Sequence, residues 1–470
     1  MADKYDLVVV GAGPGGYVAA IRGAQLGFKT ACIERERPGG ICLNWGCIPT
    51  KALLKSADMM RSAQHAADYG VIINGPITFD WNKVIARSRG VADKLSGGVE
   101  WLFKKYGVTH LPGTAKLTGR GKLEVESKSG KITLETPRTI IATGARAKFL
   151  PGIEPDGDRI ITYREAMILP EVPKSVVVIG AGAIGIEFAD FWNAFGVDVT
   201  VIEFMPRILP VEDEEISAAL TRLLKKKGMK ILTGTKTTGV KVSGKSVTTS
   251  YVGADGSGKT ESVTSERVLM AVGVRANVEG IGLEGMGVAL DRGFIQVDDQ
   301  YRTTSPGIWS IGDCAGPPAL AHVAMAEAVR TVETMAGHHP EPVNYDAIPG
   351  CTYCDPEVAS IGKTEAQARE AGLDVSVGKF PFNVNGKALG AGHTDGFIKI
   401  IMSKARGEHG RIVGVHAIGY GVTDLIAEMS VAMTSEATIH DIVAAVHPHP
   451  TLSEVMFEAA ASALGEAVHI

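Results

Sequence analysis

No excess of positive charge marks this sequence: 48 Lys and Arg stand against 52 Asp and Glu, a formal net charge of −4. No basic block of the kind that grips a phosphate backbone occurs, so nucleic acid is not an expected partner. Cysteine is scarce as well. Six in 470 residues are too few for a secreted disulfide scaffold. Four of them, Cys32, Cys314, Cys351 and Cys354, sit in apolar or mixed surroundings where a small buried hydrophobe would serve. Cys351 and Cys354 have a zinc-like spacing but stand alone, with His338 and His339 the nearest further candidates, and no metal is expected. No uninterrupted apolar stretch reaches the length of a membrane span. The N-terminal MADKYDLVVVGAG has no basic leader region and reads as a buried strand and turn rather than a signal peptide, which gives a cytoplasmic expectation. The length exceeds what one hydrophobic core serves, so several domains are expected.

What is present is a repeat. YDLVVVGAGPGGYVAAIRGAQLGFKTACIER (Tyr5 to Arg35) and KSVVVIGAGAIGIEFADFWNAFGVDVTVIEF (Lys174 to Phe204) share one pattern: a valine-rich run, GxGxxG, a helical stretch and a second apolar run. The glycines are Gly11, Gly13 and Gly16 in the first copy and Gly180, Gly182 and Gly185 in the second; the runs close on Glu34 and Glu203. The first glycine precedes its glutamate by 23 positions in both copies. In this pattern the first glycine makes a tight turn, the second lets a pyrophosphate approach the backbone, and the third lets helix and strand pack closely. The phosphates meet the free N–H groups and positive end of the helix dipole. The acid accepts hydrogen bonds from ribose hydroxyls. Two dinucleotides are therefore expected, and Glu203, which would repel a 2′-phosphate, favours NAD over NADP at the second site. Two further apolar runs end in a small residue and glycine, at Thr143–Gly144 and before Gly273, which suits strands leading out of a domain beside a cofactor. Asp313, after the apolar strand of SPGIWSIGDCAG, reads either as a turn residue or as a flavin contact.

The segment PGGICLNWGCIPTK, from Pro38 to Lys51, holds Cys42 and Cys47. It offers neither zinc spacing nor nearby histidine. Pro49 suits a first helical turn, so Cys47 falls at a helix N-terminus, a position that stabilises a thiolate. Gly39, Gly40 and Gly46 give the intervening loop the freedom to bring the sulfurs together. Near the other end, Thr451 and Glu454 of HPHPTLSE fit a capping box ahead of a helix.

GGICLNWGCIPTK resembles the redox-disulfide signature of the two-dinucleotide-binding pyridine nucleotide–disulfide oxidoreductases, and the likeness runs in order from residue 5 to 470. It implies an α/β fold: two Rossmann-like domains, for FAD (1–147 and 277–344) and NAD (148–276), and a C-terminal α+β dimerisation domain (345–470). It further implies contacts to FAD from Gly46, Lys51, Thr143, Gly144, Asp313 and Ala321 besides the first glycine motif and Glu34, and to NAD from Gly273 besides the second motif and Glu203. Cys42 and Cys47 become a redox disulfide, Cys42 exchanging with substrate and Cys47 facing the flavin. Lys51 stands near the flavin ring and Glu187 approaches the nicotinamide and Lys51. His449 becomes the acid/base, oriented by Glu454 and serving the other subunit of a homodimer; Glu454 as cap and Glu454 as orienter both stay open here. Histidine suits dithiol chemistry at neutral pH.

Within the family the closest pattern is that of enzymes that oxidise protein-bound dihydrolipoamide. The implied partners are a lipoyl-bearing acyltransferase or a glycine-cleavage lipoyl carrier, because no lipoyl domain precedes Tyr5. A glutathione reductase should carry basic residues rather than Glu203, and a tyrosine where Ala183 stands. A mercuric reductase needs a C-terminal cysteine pair, whereas this chain ends GEAVHI. A flavoprotein that only docks into an assembly would not need Cys42, Cys47 and His449. Ile41, Trp45 and Thr50 depart from the threonine, valine and serine more usual in the family.

Overall fold

A computed structural model describes residues 2–470. The chain forms two compact units, one comprising the residues up to Leu53 with Asp80–Lys148 and Gly273–Val343, the other Leu54–Phe79, Phe149–Val272 and Asn344–Ile470.

The first unit is built on a five-stranded parallel sheet in the order Ile308–Ser310, Thr139–Ile141, Leu7–Val10, Thr30–Glu34, Thr109–Pro112. Leu7, Val8 and Val9 are fully buried, as central parallel strands covered on both faces require. The helices Pro14–Gln25 and Ala321–Met335 pack on one another, and Arg22 pairs with Glu333 at 2.5 Å. A long helix, Trp81–Tyr106, starts where the Asp80 side chain accepts the Lys83 N–H and stops at Gly107 in the left-handed region, the usual polar start and glycine stop. Its buried residues, Trp81, Ser88, Ala92, Ser96, Val99 and Phe103, recur at helical spacing.

The second unit repeats the parallel sheet in the order Ile160–Ile161, Arg267–Met270, Ser175–Ile179, Asp198–Ile202, Lys230–Leu232. It adds a five-stranded antiparallel sheet, Gly350–Thr352, Glu357–Gly362, Ile412–Gly419, Phe397–Ser403, Val375–Pro381. The helices Val422–Thr434 and Glu454–Leu464 cover that sheet through Ile426, Met429, Val455 and Met456. The two dinucleotide folds and the C-terminal α+β domain expected from the sequence are thus present. Among the described residues no helix is long and apolar enough to cross a membrane.

One polar row crosses the antiparallel sheet. Ser360 is registered against His416, His416 against Lys399, and Lys399 against Lys379. The row meets the acidic start of helix Glu214–Lys226. Lys399 is 2 % exposed and its Nζ lies 3.1 Å from Asp213, 2.8 Å from Glu215 and 2.7 Å from Glu365. Beside it, burial pushes the Glu212 carboxyl up to about 7 despite the Ser360 hydroxyl. Removing one partner of a buried ion cluster strands the others without compensation. Lys399→Met is therefore expected to cost about 3–5 kcal/mol of stability, read as a lower urea midpoint at unchanged slope. A loss below about 1 kcal/mol would show that the row behaves as an exposed surface network.

Candidate active site

The two glycine motifs have the same construction. Gly11 and Gly180 take φ of +100° and +101°, and a Cβ on either would come within 2.3 Å of Ala142 O or 2.4 Å of Ala271 O. A Cβ on Gly16 or Gly185 would strike Gly11 O at 1.9 Å or Gly180 O at 2.0 Å. The middle glycine differs. At Gly182, whose φ is −73°, an added Cβ meets nothing within 4 Å. The first and third glycines are needed by the fold, while the space in front of the second is left for a ligand, as a pyrophosphate cradle requires. Gly182→Ala should therefore fold with unchanged stability yet lose about 1–3 kcal/mol of NAD binding, the cost of a methyl group forced into filled space. Titration of NAD by calorimetry checks this, with Gly185→Ala as the variant that damages the fold instead.

Glu34 and Glu203 close the neighbouring strands, and each braces its own glycine turn. Glu34 accepts the N–H groups of Ala12 (2.8 Å) and Glu36 (2.8 Å). Glu203 accepts those of Ala181 (2.6 Å) and Met205 (2.8 Å). A carboxylate has about four lone-pair positions, so ribose hydroxyls can add to these bonds. Asp313 lies on the turn Gly312–Cys314, where burial raises its carboxyl above the usual range. Ligand hydroxyls there would relieve that burial, which suits a ribityl chain. Thr143 donates its hydroxyl to Asn277 O at 2.7 Å, and Gly144 O accepts the Asn277 N–H at 2.9 Å. Ala321 opens the helix Ala321–Met335. Gly273 O accepts the Lys148 N–H at 2.9 Å.

The cysteine segment is anchored to the first glycine turn, with the Gly39 N–H donating to Ala12 O at 2.7 Å. A Cβ on Gly40 would lie 2.6 Å from the Gly13 Cα. The loop expected between the cysteines is instead helical: Gly40–Trp45 forms a short helix carrying Cys42, Gly46 breaks it, and a new helix, Cys47–Gln64, begins at Cys47. The glycines supply left-handed backbone at the start of the short helix, at Gly39 (φ 97°) and Gly40 (φ 56°), rather than a slack linker. Both cysteines are half-buried thiols, neither in a disulfide. A hydrogen bond between the two sulfurs, then burial, pushes the Cys42 thiol far above the ordinary range, against the opposing charge of Lys51. Lys51 follows on the same helix as Cys47.

In the second unit Glu187 is buried on the helix Ala183–Ala194 and accepts the Tyr353 N–H at 3.0 Å. Its neighbour Asp190 takes a two-pronged bond from Arg61, at 2.6 and 3.2 Å. Cys354 is buried with its thiol against Pro356 O, and Cys351 faces Thr423 O. His449 Nδ1 lies 2.8 Å from Glu454 Oε1, and Glu454 Oε2 accepts the Thr451 N–H at 2.8 Å. The expected capping box is only half built. The helix starts at Glu454 with Ser453 as its N-cap, and the Thr451 hydroxyl donates to Pro448 O. The two carboxylate oxygens let Glu454 hold the backbone and orient the imidazole at once. Burial alone would raise the Glu454 carboxyl, but the Thr451 N–H and the His449 ring hold it below its ordinary value. With Nδ1 engaged, Nε2 is the nitrogen left to exchange protons.

Comparison with known proteins identifies the family. The pyridine nucleotide-disulphide oxidoreductase model matches residues 5–328, and the dimerisation domain of the same family matches 348–460. The chain belongs to the pyridine nucleotide-disulphide oxidoreductases. Dihydrolipoyl dehydrogenases of Rhizobium etli and Zymomonas mobilis are 47% and 48% identical to it, each match covering 100% of both chains. That of Bacillus subtilis is 44% identical, again over 100% of both. Among solved structures, LpdA of Mycobacterium tuberculosis superposes with a TM-score of 0.89 at 26% identity, covering 98% of this chain and 99% of that one. The enzyme is an NAD-dependent oxidoreductase, and its cofactors are FAD and NAD.

Sequence reasoning missed the contribution of the helix Trp81–Tyr106 to the redox segment. The signal was there in the helical recurrence of Ser88 and Ser96 on its buried face.

Proposed function

We propose that this enzyme is a dihydrolipoyl dehydrogenase in which Cys42 and Cys47 form the redox disulfide and His449 of the partner subunit moves the proton. The observation that carries the residue assignment is the thiol pair itself, two sulfurs sharing one hydrogen bond on a segment fixed to the first glycine turn. Full-length relatives of that name support the substrate, and the dimerisation domain supports a homodimer. One substrate thiol gives its proton to His449 and attacks the Cys42 sulfur, releasing Cys47 as thiolate. The second substrate thiol then closes on the first, freeing Cys42. The substrate leaves as a cyclic disulfide, short of two electrons and two protons; the cysteine pair holds both electrons and Cys42 one proton. Glu454 keeps the imidazole turned to the incoming thiol. FAD, held by the glycine turn of Gly11, Gly13 and Gly16 with Glu34 and Asp313, would supply the acceptor for that electron pair, and NAD, held by the turn of Gly180, Gly182 and Gly185 with Glu203, would supply the final hydride acceptor. Lys51, one turn beyond Cys47, places a positive charge beside the reaction.

The protein partners are lipoyl-bearing chains, either an acyltransferase or a glycine-cleavage carrier. The test is anaerobic addition of dihydrolipoamide to the holoenzyme, followed by NAD. Reduction by the dithiol with a long-wavelength thiolate–flavin band, then NADH release, is the expected outcome. A flavin that ignores the dithiol and draws electrons from NADPH would overturn the reading.

A further inference from the structure

Trp45 lies between the two cysteines, and the structure shows what the indole touches. The Arg89 guanidinium, from the helix Trp81–Tyr106, lies 4.8 Å from the Trp45 ring centre, and its Nη2 donates to Asn44 O at 2.5 Å. Asn44 is itself buried, with its amide donating to Pro38 O and Gly40 O, each at 3.0 Å. The same helix reaches the segment twice more and bonds the residue just after it. Ser96 Oγ donates to Pro38 O at 2.8 Å, Ser88 Oγ to Pro49 O at 2.9 Å, and Arg87 Nη1 to Ala52 O at 2.7 Å. A six-residue helix such as Gly40–Trp45 is far too short to hold its own shape, and its last carbonyls lack partners within the helix. The neighbouring helix supplies one to Asn44 O.

We propose that Arg89, stacked on Trp45 and bonded to Asn44 O, is a positioning residue that pins the peptide between Cys42 and Cys47 and so holds the two sulfurs within bonding reach. This rests on the reading of the pair as the redox disulfide. How strongly a disulfide is favoured over its two thiols depends on the effective concentration of one sulfur at the other, and that concentration rises as the link between them is ordered. A planar guanidinium can stack on the indole and bond the carbonyl together, which a lysine ammonium cannot. Loosening the clamp therefore disfavours the disulfide without touching either sulfur.

The experiment equilibrates the holoenzyme anaerobically with mixtures of reduced and oxidised dithiothreitol, then alkylates it and reads the Cys42 and Cys47 peptides by mass. Each protein disulfide takes two electrons and two protons from one dithiothreitol, which closes to its own cyclic disulfide. In Arg89→Met the exchange constant favouring the protein disulfide is expected to fall about tenfold, a shift of about 30 mV for a two-electron couple. Trp45→Val should shift it the same way. The double variant should go no further than Arg89→Met, because the two side chains act as one unit. A merely structural role would lower the melting temperature and leave the exchange constant in place. A folded Arg89→Met within twofold of wild type overturns the proposal, and if that variant does not fold, Trp45→Val decides on the same criterion. A wild-type enzyme with no two-electron thiol couple sinks the disulfide reading itself, and the clamp with it.

Discussion

Cys47→Ser is expected to abolish NAD-linked oxidation of dihydrolipoamide, by on the order of 10⁴-fold in kcat, the scale on which single members of a catalytic unit fail. A serine oxygen cannot form the disulfide, so there is nothing for the substrate thiol to attack. FAD should remain bound, because the glycine turn of Gly11, Gly13 and Gly16 keeps its shape through Glu34 and Ala142. The two cysteines should fail differently. The bond to Cys47 and burial push the Cys42 thiol up, and Cys47 opens a helix, where a thiolate is favoured. Cys42→Ser should thus lose activity but keep the long-wavelength thiolate–flavin band, whereas Cys47→Ser should lose both. Stopped-flow spectra of the two variants check this, and a band that survives in Cys47→Ser would refute the division of labour.

His449→Gln is expected to lower kcat for the dithiol half-reaction by about 10²–10⁴-fold, the usual range for removing a positioned acid/base. The loss should shrink as the pH rises toward that of the substrate thiol, which then ionises unaided. Glu454 stays ionised over that range. Its folded carboxyl lies below the ordinary value, so the interaction it makes is present above the unfolded pKa and is lost only as pH falls through the lower folded one. Mixed dimers decide which subunit the histidine serves. Pairing a Cys47→Ser chain with a His449→Gln chain leaves one intact site per dimer if the histidine acts across the interface, and roughly half the wild-type rate should return. A dead mixed dimer would place the histidine with its own cysteines.

Much of this was legible before any coordinates. The duplicated glycine motif carries its own geometry, since spacing fixes which glycine turns, which yields to a ligand and which packs. The Pro49 signal placed Cys47 at a helix start. What the sequence concealed was tertiary. Nothing local says that the residues between the cysteines coil into a helix, because Gly39, Gly40 and Gly46 read as looseness; the order comes from Ser88, Arg89 and Ser96, about 50 residues away. The two readings of Glu454 exclude one another only if its side chain cannot reach His449, a matter of tertiary placement, and here it reaches the ring at 2.8 Å while holding the Thr451 N–H. Lys399 gave no sign of burial, because its three carboxylate partners come from two distant stretches and meet it only through cross-strand register.

The bracing of each glycine turn by its own glutamate also bears on how such an enzyme could change its coenzyme. Accepting a 2′-phosphate asks for a cation where Glu203 stands, yet Glu203 is also the acceptor for the Ala181 and Met205 N–H groups. Replacing it strips acceptors from the turn that would cradle the pyrophosphate, at the moment the new coenzyme would depend on that turn. Lysine or arginine offers only donors in return. A route from NAD to NADP through this position therefore passes through a variant that holds neither well, unless a second acceptor is installed first. Preference at this site is conserved by the architecture of the turn as much as by the charge of one side chain.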